Sequence, residues 1–253
     1  MIFDTHAHYD DEQFDTDREA LLGSMAAGGV GTIVNASASV ESWDKVLGLT
    51  EKYPFIYGMI GVHPDEAGSL DEEKFRRMEE LLGREKIVAV GEIGLDYYWD
   101  KEEHDTQKYW FIRQLELAAK KHMPVSVHSR EAASDTMEIM KKYGAGMQAV
   151  IHCYSYSPEM ARAYVKMGYY IGVGGVVTFK NARKLKEVVQ EIPMERIVLE
   201  TDCPYLAPEP FRGKRNSSLN LTYVAQAVAA LKGTTPEEVI CRTEENARKL
   251  YNL

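Results

Sequence analysis

A chain of 253 residues with 45% apolar content is long enough for one large domain with a full core, and its composition excludes collagen-like, coiled-coil and disordered classes. With 39 acidic against 30 basic side chains, a net charge of -9, it does not suit nucleic-acid binding by bulk electrostatics, although a nuclease that grips through metal ions and a few local cations remains open. No run approaches the roughly 18 apolar residues of a membrane span, the first residues are acidic where a secretory signal is basic, and Cys153, Cys203 and Cys241 are too scattered for a disulfide framework, so the expected setting is the cytoplasm, with no membrane and no obligate protein partner.

Taken in order, MIFDTHAH reads as a strand and DREALLGSMAAGG as a helix. GTIVNAS, FIYGMIGVHP, KIVAVGEIGLD, MPVSVHSR, MQAVIHCY, YYIGVGGVV and RIVLETDCP follow as strands. Among them lie DEEKFRRMEELLG, QKYWFIRQLELAAKKH, DTMEIMKKYG, SPEMARAYVKMG and NARKLKEVVQEI, whose apolar residues recur three or four apart. Eight strands alternating with helices predict an α/β fold, a single-domain (β/α)8 TIM-type barrel over residues 1–253. An open doubly wound sheet is the alternative, but no Gly-rich dinucleotide fingerprint follows the first strand. From about Ser217, NLTYVAQAVAALKG, TTPEEVICRT and EENARKLYNL read as C-terminal helices that complete the outer layer and carry no chemistry, with TTPEE as an N-cap followed by Pro and acids.

Active sites of such barrels form at the carboxyl ends of the strands. His6 and His8 end the first strand candidate, His63 the third, Glu92 the fourth, His128 the fifth, His152 the sixth and Asp202 the eighth. His6, His8, Glu92, His128, His152 and Asp202 thus offer six N and O donors without thiolate, which suits two divalent ions better than one structural zinc. A carboxylate can bridge two cations about 3.5 to 4 Å apart, and Glu92, between the two groups of histidines, is the expected bridge. Asp4, two before His6, is expected beneath it as an orienting partner. Cys153 and Cys203 follow ligands directly, so on a strand they face away and read as packing residues. His104 and His122 fall in helical patterns among Lys and Glu and read as surface residues.

The blocks FDTHAHYD, GVHP, VGEIGLDYY, PVSVHSREA, IHCYS, IGVGG and VLETDCPYLAP, in this order, resemble the TatD family of metal-dependent deoxyribonucleases in the amidohydrolase superfamily, and the resemblance runs to the closing EENARKLYNL. It implies a two-cation barrel, with His6, His8, Glu92 and Asp202 on one ion and Glu92, His128 and His152 on the other. Many superfamily members bridge their metals with a modified lysine on strand four; Glu92 stands there in this chain, which favours the TatD branch over dihydroorotases and phosphotriesterases.

The expected reaction is hydrolysis of DNA phosphodiester bonds by a metal-activated water, with Asp202 and Glu92 as catalytic residues and Asp202 receiving the water's proton. The exonuclease preference comes from the resemblance alone. Glu200 either orients water or a ligand or is a buried core acid. For substrate, His63, Arg130 and the FRGKRN loop with Arg212, Lys214 and Arg215 are candidates. Tyr97, Tyr98, Trp99, Tyr154, Tyr156 and Tyr205 could stack the bases of a single strand or frayed end. An amidohydrolase or esterase acting on a small molecule with the same two-metal site is the alternative, and a non-catalytic metal-binding protein ranks below it. Four imidazoles favour zinc, manganese, cobalt or iron over magnesium, whereas the family is described as magnesium-dependent, so the two ions are zinc, manganese or magnesium.

Overall fold

A computed structural model describes residues 1–99 and 102–253. Eight strands, β1 (Ile2–Ala7), β2 (Val30–Ala36), β3 (Ile56–Ile60), β4 (Ile87–Asp96), β5 (Val125–Arg130), β6 (Ala149–Ile151), β7 (Tyr170–Val173) and β8 (Ile197–Leu199), pair in parallel in chain order. The ring closes beyond the end of β8. Ala7 bridges Cys203, His8 N–H donates to Cys203 O at 2.8 Å, and Asp202 N–H donates to His6 O at 2.9 Å. The result is the nearly closed (β/α)8 barrel that the alternation predicts.

The helices α1 (Arg18–Gly23), α2 (Trp43–Lys52), α3 (Glu72–Leu81), α4 (His104–Lys121), α5 (Ala133–Tyr143), α6 (Pro158–Lys166), α7 (Arg183–Glu191), α8 (Leu221–Lys232) and α9 (Pro236–Tyr251) form the outer layer. The main apolar core lies between them and the sheet. A smaller cluster draws Phe3, Val34, Met59, Ala89, Val150, Tyr170 and Val198 from seven strands, which places it inside the barrel, and Leu250 and Tyr251 of α9 plug its end. Tyr251 also donates its hydroxyl to Thr5 O at 2.9 Å, pinning α9 to β1. Among the described residues no helix is long and apolar enough to cross a membrane.

Several boundaries differ from the sequence expectation. TTPEEVICRT and EENARKLYNL form one helix, α9, whose Thr235 side chain accepts from Glu238 N–H, because nothing between the two segments breaks the helical pattern. Helix α2, absent from the sequence reading, forms on WDKVLGLTEK and buries Trp43, Val46, Leu47 and Leu49. The strands β3, β6, β7 and β8 stop earlier than their apolar runs, leaving several expected strand-end residues on loops. Glu92 lies within β4, not at its end, beside a register shift between Val90 and Ile93.

Candidate metal centre

At the carboxyl ends of the strands is a cavity of about 770 Å³ lined by His8, His63, Glu92, His128, His152 and Asp202, with Asp96, Arg130, Cys153 and Tyr205 among the other residues. His6 sits against the same groups from below, 1% exposed. The six sequence-predicted ligands therefore converge, from β1, β4, β5 and the loops after β1, β6 and β8.

Glu92 is the hub. Its Oε2 lies 3.3 Å from His6 Nε2 and 3.6 Å from His8 Nε2, while Oε1 lies 2.8 Å from His128 Nδ1, 3.4 Å from His152 Nε2 and 3.8 Å from His63 Nε2. One carboxylate thus turns one oxygen to each group of histidines. Asp202 Oδ1 is 3.3 Å from His8 Nε2 and 3.8 Å from His152 Nε2, so it reaches both groups from the cavity side.

The far sides of the rings are tied down. His8 Nδ1 lies 3.0 Å from Ala36 O, which can only accept, so its proton sits on Nδ1 and Nε2 is left facing the cavity. His6 Nδ1 meets the Ser126 hydroxyl at 3.2 Å. The two Nε2 atoms then stand 3.2 Å apart, an approach of lone pairs that a proton or a cation must relieve. His128 is held between Glu92 at Nδ1 and Asp96 Oδ2, 3.0 Å from Nε2. Donor types, convergence and the facing nitrogens all fit a divalent-cation centre.

The electrostatics agree. Burial disfavours charge on His8, His128 and His152, yet the carboxylates around them win and raise the first two to about 9 and the third to about 10. His6 goes down through burial and the neighbouring His152. Burial alone would raise Glu92 and Asp202, but the surrounding imidazoles hold both below the usual carboxylate range. The cluster is therefore an anionic cage that attracts positive charge.

His63 is close enough to Glu92 and His128 to share an ion with them. Its Nδ1, however, accepts Asp65 N–H at 3.2 Å at the start of a short 3-10 turn, so the proton sits on Nε2, where a ligand would need a lone pair. Burial and the neighbouring His128 push His63 down to about 3, which keeps the ring neutral with an N–H donor facing the cavity.

The remaining expectations divide. Asp4 accepts from the Thr201 and Ser218 hydroxyls at 2.7 and 2.6 Å and from His6 N–H, so it ties β1 to the segment after β8 and does not orient the His6 imidazole. Cys203 packs in the core as expected, whereas Cys153 lines the cavity. The reason is that β6 ends at Ile151 and Cys153 takes a left-handed φ of 46°, so strand alternation does not apply to it. Asp202 and Leu206 at the same mouth are left-handed too, as backbone at functional sites often is.

Arg130 stacks its guanidinium 3.9 Å from the Tyr98 ring centre at the rim. Tyr98 and Trp99 are 53% and 56% exposed and Tyr205 is 50% exposed, whereas Tyr154 is buried and Tyr97 and Tyr156 spend their hydroxyls on Asp135 and Ser129. Arg212 lies over Phe179 and Lys214 near Phe211, and Arg215 is paired with Asp17 at 2.6 Å; none of the three lines the cavity. His104 begins α4, stacked on Tyr97, and His122 forms the exposed left-handed cap of the same helix. Sequence reasoning missed Asp96, whose spacing of four from Glu92 along a strand signals a shared face, and Ser126, which carries no comparable signal.

Residues 3–252 match the family model described as TatD related DNase. An uncharacterized metal-dependent hydrolase of Bacillus subtilis, YabD, is 45% identical over the full length of both chains. The crystal structure of YjjV, a TatD homologue from Escherichia coli, superposes with a TM-score of 0.94 at 32% identity, covering 100% of this chain and 98% of that one. A TatD family hydrolase from Entamoeba histolytica gives 0.90 at 25% identity, with 99% and 98% covered.

Proposed function

The chain belongs to the TatD-related DNase family and is a metal-dependent hydrolase, and on that premise we propose that it is an exonuclease that hydrolyses DNA phosphodiester bonds at a two-cation centre. The observation that carries the two-ion reading is the division of Glu92, with one oxygen toward His6 and His8 and the other toward His128 and His152. On this reading His6, His8, Glu92 and Asp202 would hold one ion, and Glu92, His128 and His152 the other. A cation pair of this kind lowers the pKa of water and offsets charge on a phosphoryl oxygen.

The chain's own residues supply the rest. Asp202, held ionised by His8 and His152 at the cavity face, takes the proton of the attacking water. Neutral His63 offers Nε2–H to a phosphoryl oxygen. Arg130, pre-aligned on Tyr98, presents its fork to the phosphate, and Tyr98, Trp99 and Tyr205 offer exposed faces to the bases of a single-stranded or frayed end. Arg212 and Lys214 remain exposed for the strand outside the cavity; Arg215 is the weaker candidate because Asp17 holds it.

The test is turnover of end-labelled single-stranded DNA by metal-stripped protein reloaded with magnesium, manganese or zinc. Nucleotide release from one end, lost in Glu92→Ala, is the expected result, with the imidazole-rich donors favouring zinc or manganese. Two bound ions with intact DNA would overturn the substrate. The acidic rim, Asp10, Asp11, Asp65 and Glu66 around a single arginine, favours a small ester or amide as the second reading, and panels of those substrates are the matching assay.

A further inference from the structure

We propose that Glu200 is a positioning residue that fixes His152 for the metal centre from behind, in a recess that Gly172 of β7 opens for it. The inference rests on the reading of His152 as a ligand.

Glu200 is 1% exposed and does not line the cavity, so it is not placed to touch substrate. Its Oε1 accepts Cys153 N–H at 2.5 Å and lies 3.2 Å from His152 Nδ1. Neither His152 Nδ1 nor Glu200 Oε2 has a hydrogen-bond partner of good geometry among the described residues, so the 3.2 Å approach of Nδ1 to Oε1 is the contact left to both groups. On the opposite side, His152 Nε2 faces Glu92 and Asp202. Facing Nδ1, the carboxylate oxygen serves as an acceptor that favours the proton there and leaves the Nε2 lone pair for a cation. The ring is also stacked on His6 at 3.6 Å with planes 16° apart, so His152 cannot turn away without losing that contact.

The recess is written into the sequence IGVGG. A methyl group at Gly172 would overlap Glu200 Oε2 and lie 2.7 Å from Cδ and 2.8 Å from Oε1. No φ requirement explains this glycine, since its backbone is not in the left-handed region. β7 supplies none of the six ligands; its part is to leave room for the carboxylate that orients one of them. The rival for the same atoms is a third cation, because ligand atoms of His152, Cys153 and Glu200 lie within 4.8 Å of one another.

The test measures ion stoichiometry and affinity by calorimetry on the full chain, wild type beside Glu200→Gln, Glu200→Asp and Gly172→Ala, together with the His152 Nδ1–H resonance in zinc-loaded protein. Two ions in the wild type, and one of them bound about 10- to 100-fold more weakly in Glu200→Gln with the other unchanged, is the expected result. Gly172→Ala, which keeps the carboxylate but displaces it, should give the same selective loss and shift the same resonance. Turnover in each variant should recover with excess metal. Unchanged affinities and resonance, or a turnover defect that persists at saturating metal, would overturn the positioning role, and a third ion lost in Glu200→Gln would replace it with the rival site. If Glu200→Gln fails to fold, Gly172→Ala and Glu200→Asp decide by the same readouts. A wild type that binds fewer than two ions would defeat the two-cation reading itself, an outcome separate from any variant effect.

Discussion

The three raised histidines set how metal and pH act on each other. In the metal-free chain His8, His128 and His152 hold protons to about pH 9–10, because carboxylates surround them. A cation must displace those protons, so binding at pH 7.5 should release them and affinity should rise with pH, as calorimetry in buffers of different ionisation enthalpy would show. Stability of the stripped protein runs the other way. A histidine whose folded value lies above its unfolded value near 6.5 stabilises fully below 6.5 and loses that contribution as pH rises through the folded value. His6 and His63 are lowered and lose theirs as pH falls below 6.5. The expected outcome is a maximum near pH 6.5 and a fall in Tm of about 5–10 °C by pH 10 in chelator-treated protein, read by thermal denaturation. His63 differs in kind from the ligands: His63→Ala should keep both ions yet lose about 100-fold in turnover, since it removes a donor and not a ligand. Loss of an ion in that variant would restore His63 to the ligand set.

At the scale of elements, the barrel's seam is its most instructive part. β8 is only three residues long, and the segment beyond its end closes onto β1 through a bridge at Cys203 and a few hydrogen bonds, while Asp4 adds the carboxylate that gathers Thr201, Ser218 and the His6 backbone there. Asp4→Ala leaves those donors buried without their acceptor and should cost about 2–3 kcal/mol in urea denaturation, with weaker metal binding because His6 and Asp202 flank the same seam. This seam also shows what the sequence could carry. Strands were legible because buried parallel strands are short apolar runs, and the convergence of the candidate donors because His and carboxylate are rare at such run ends. Glu92 was misplaced because a run's end does not reveal a register shift inside it, and Asp4 because two-residue alternation fails at another such shift, between Asp4 and Ala7. Cys153 was misjudged for a related reason: its φ is fixed by the turn after β6, which local alternation cannot foresee. Glu200 stayed ambiguous because its meaning depends on a glycine 28 positions away on another strand.

For the whole molecule the question is how a chain of net charge -9 holds a polyanion. Binding through many Lys and Arg contacts would release many counterions and fall steeply with salt, with a slope near -0.7 per phosphate contact on single strands. Here several surface arginines are already paired with acids: Arg215 with Asp17, Arg113 with Glu72, Arg77 with Asp44 and Arg162 with Glu191. At the cavity, among the described residues, Arg130 stands against four rim acids, and on the proposed reading cations at the Glu92 cluster would supply the main further attraction there. Affinity for single-stranded DNA should therefore depend weakly on monovalent salt, with a slope corresponding to about one or two contacts, and strongly on the divalent ion. Arg130→Ala should remove about one contact from that slope and raise KM several-fold, while neutralising Arg215 should change neither. A steep salt slope that survives metal removal would mean that a surface outside the cavity, such as the loop bearing Arg212 and Lys214, carries the nucleic acid.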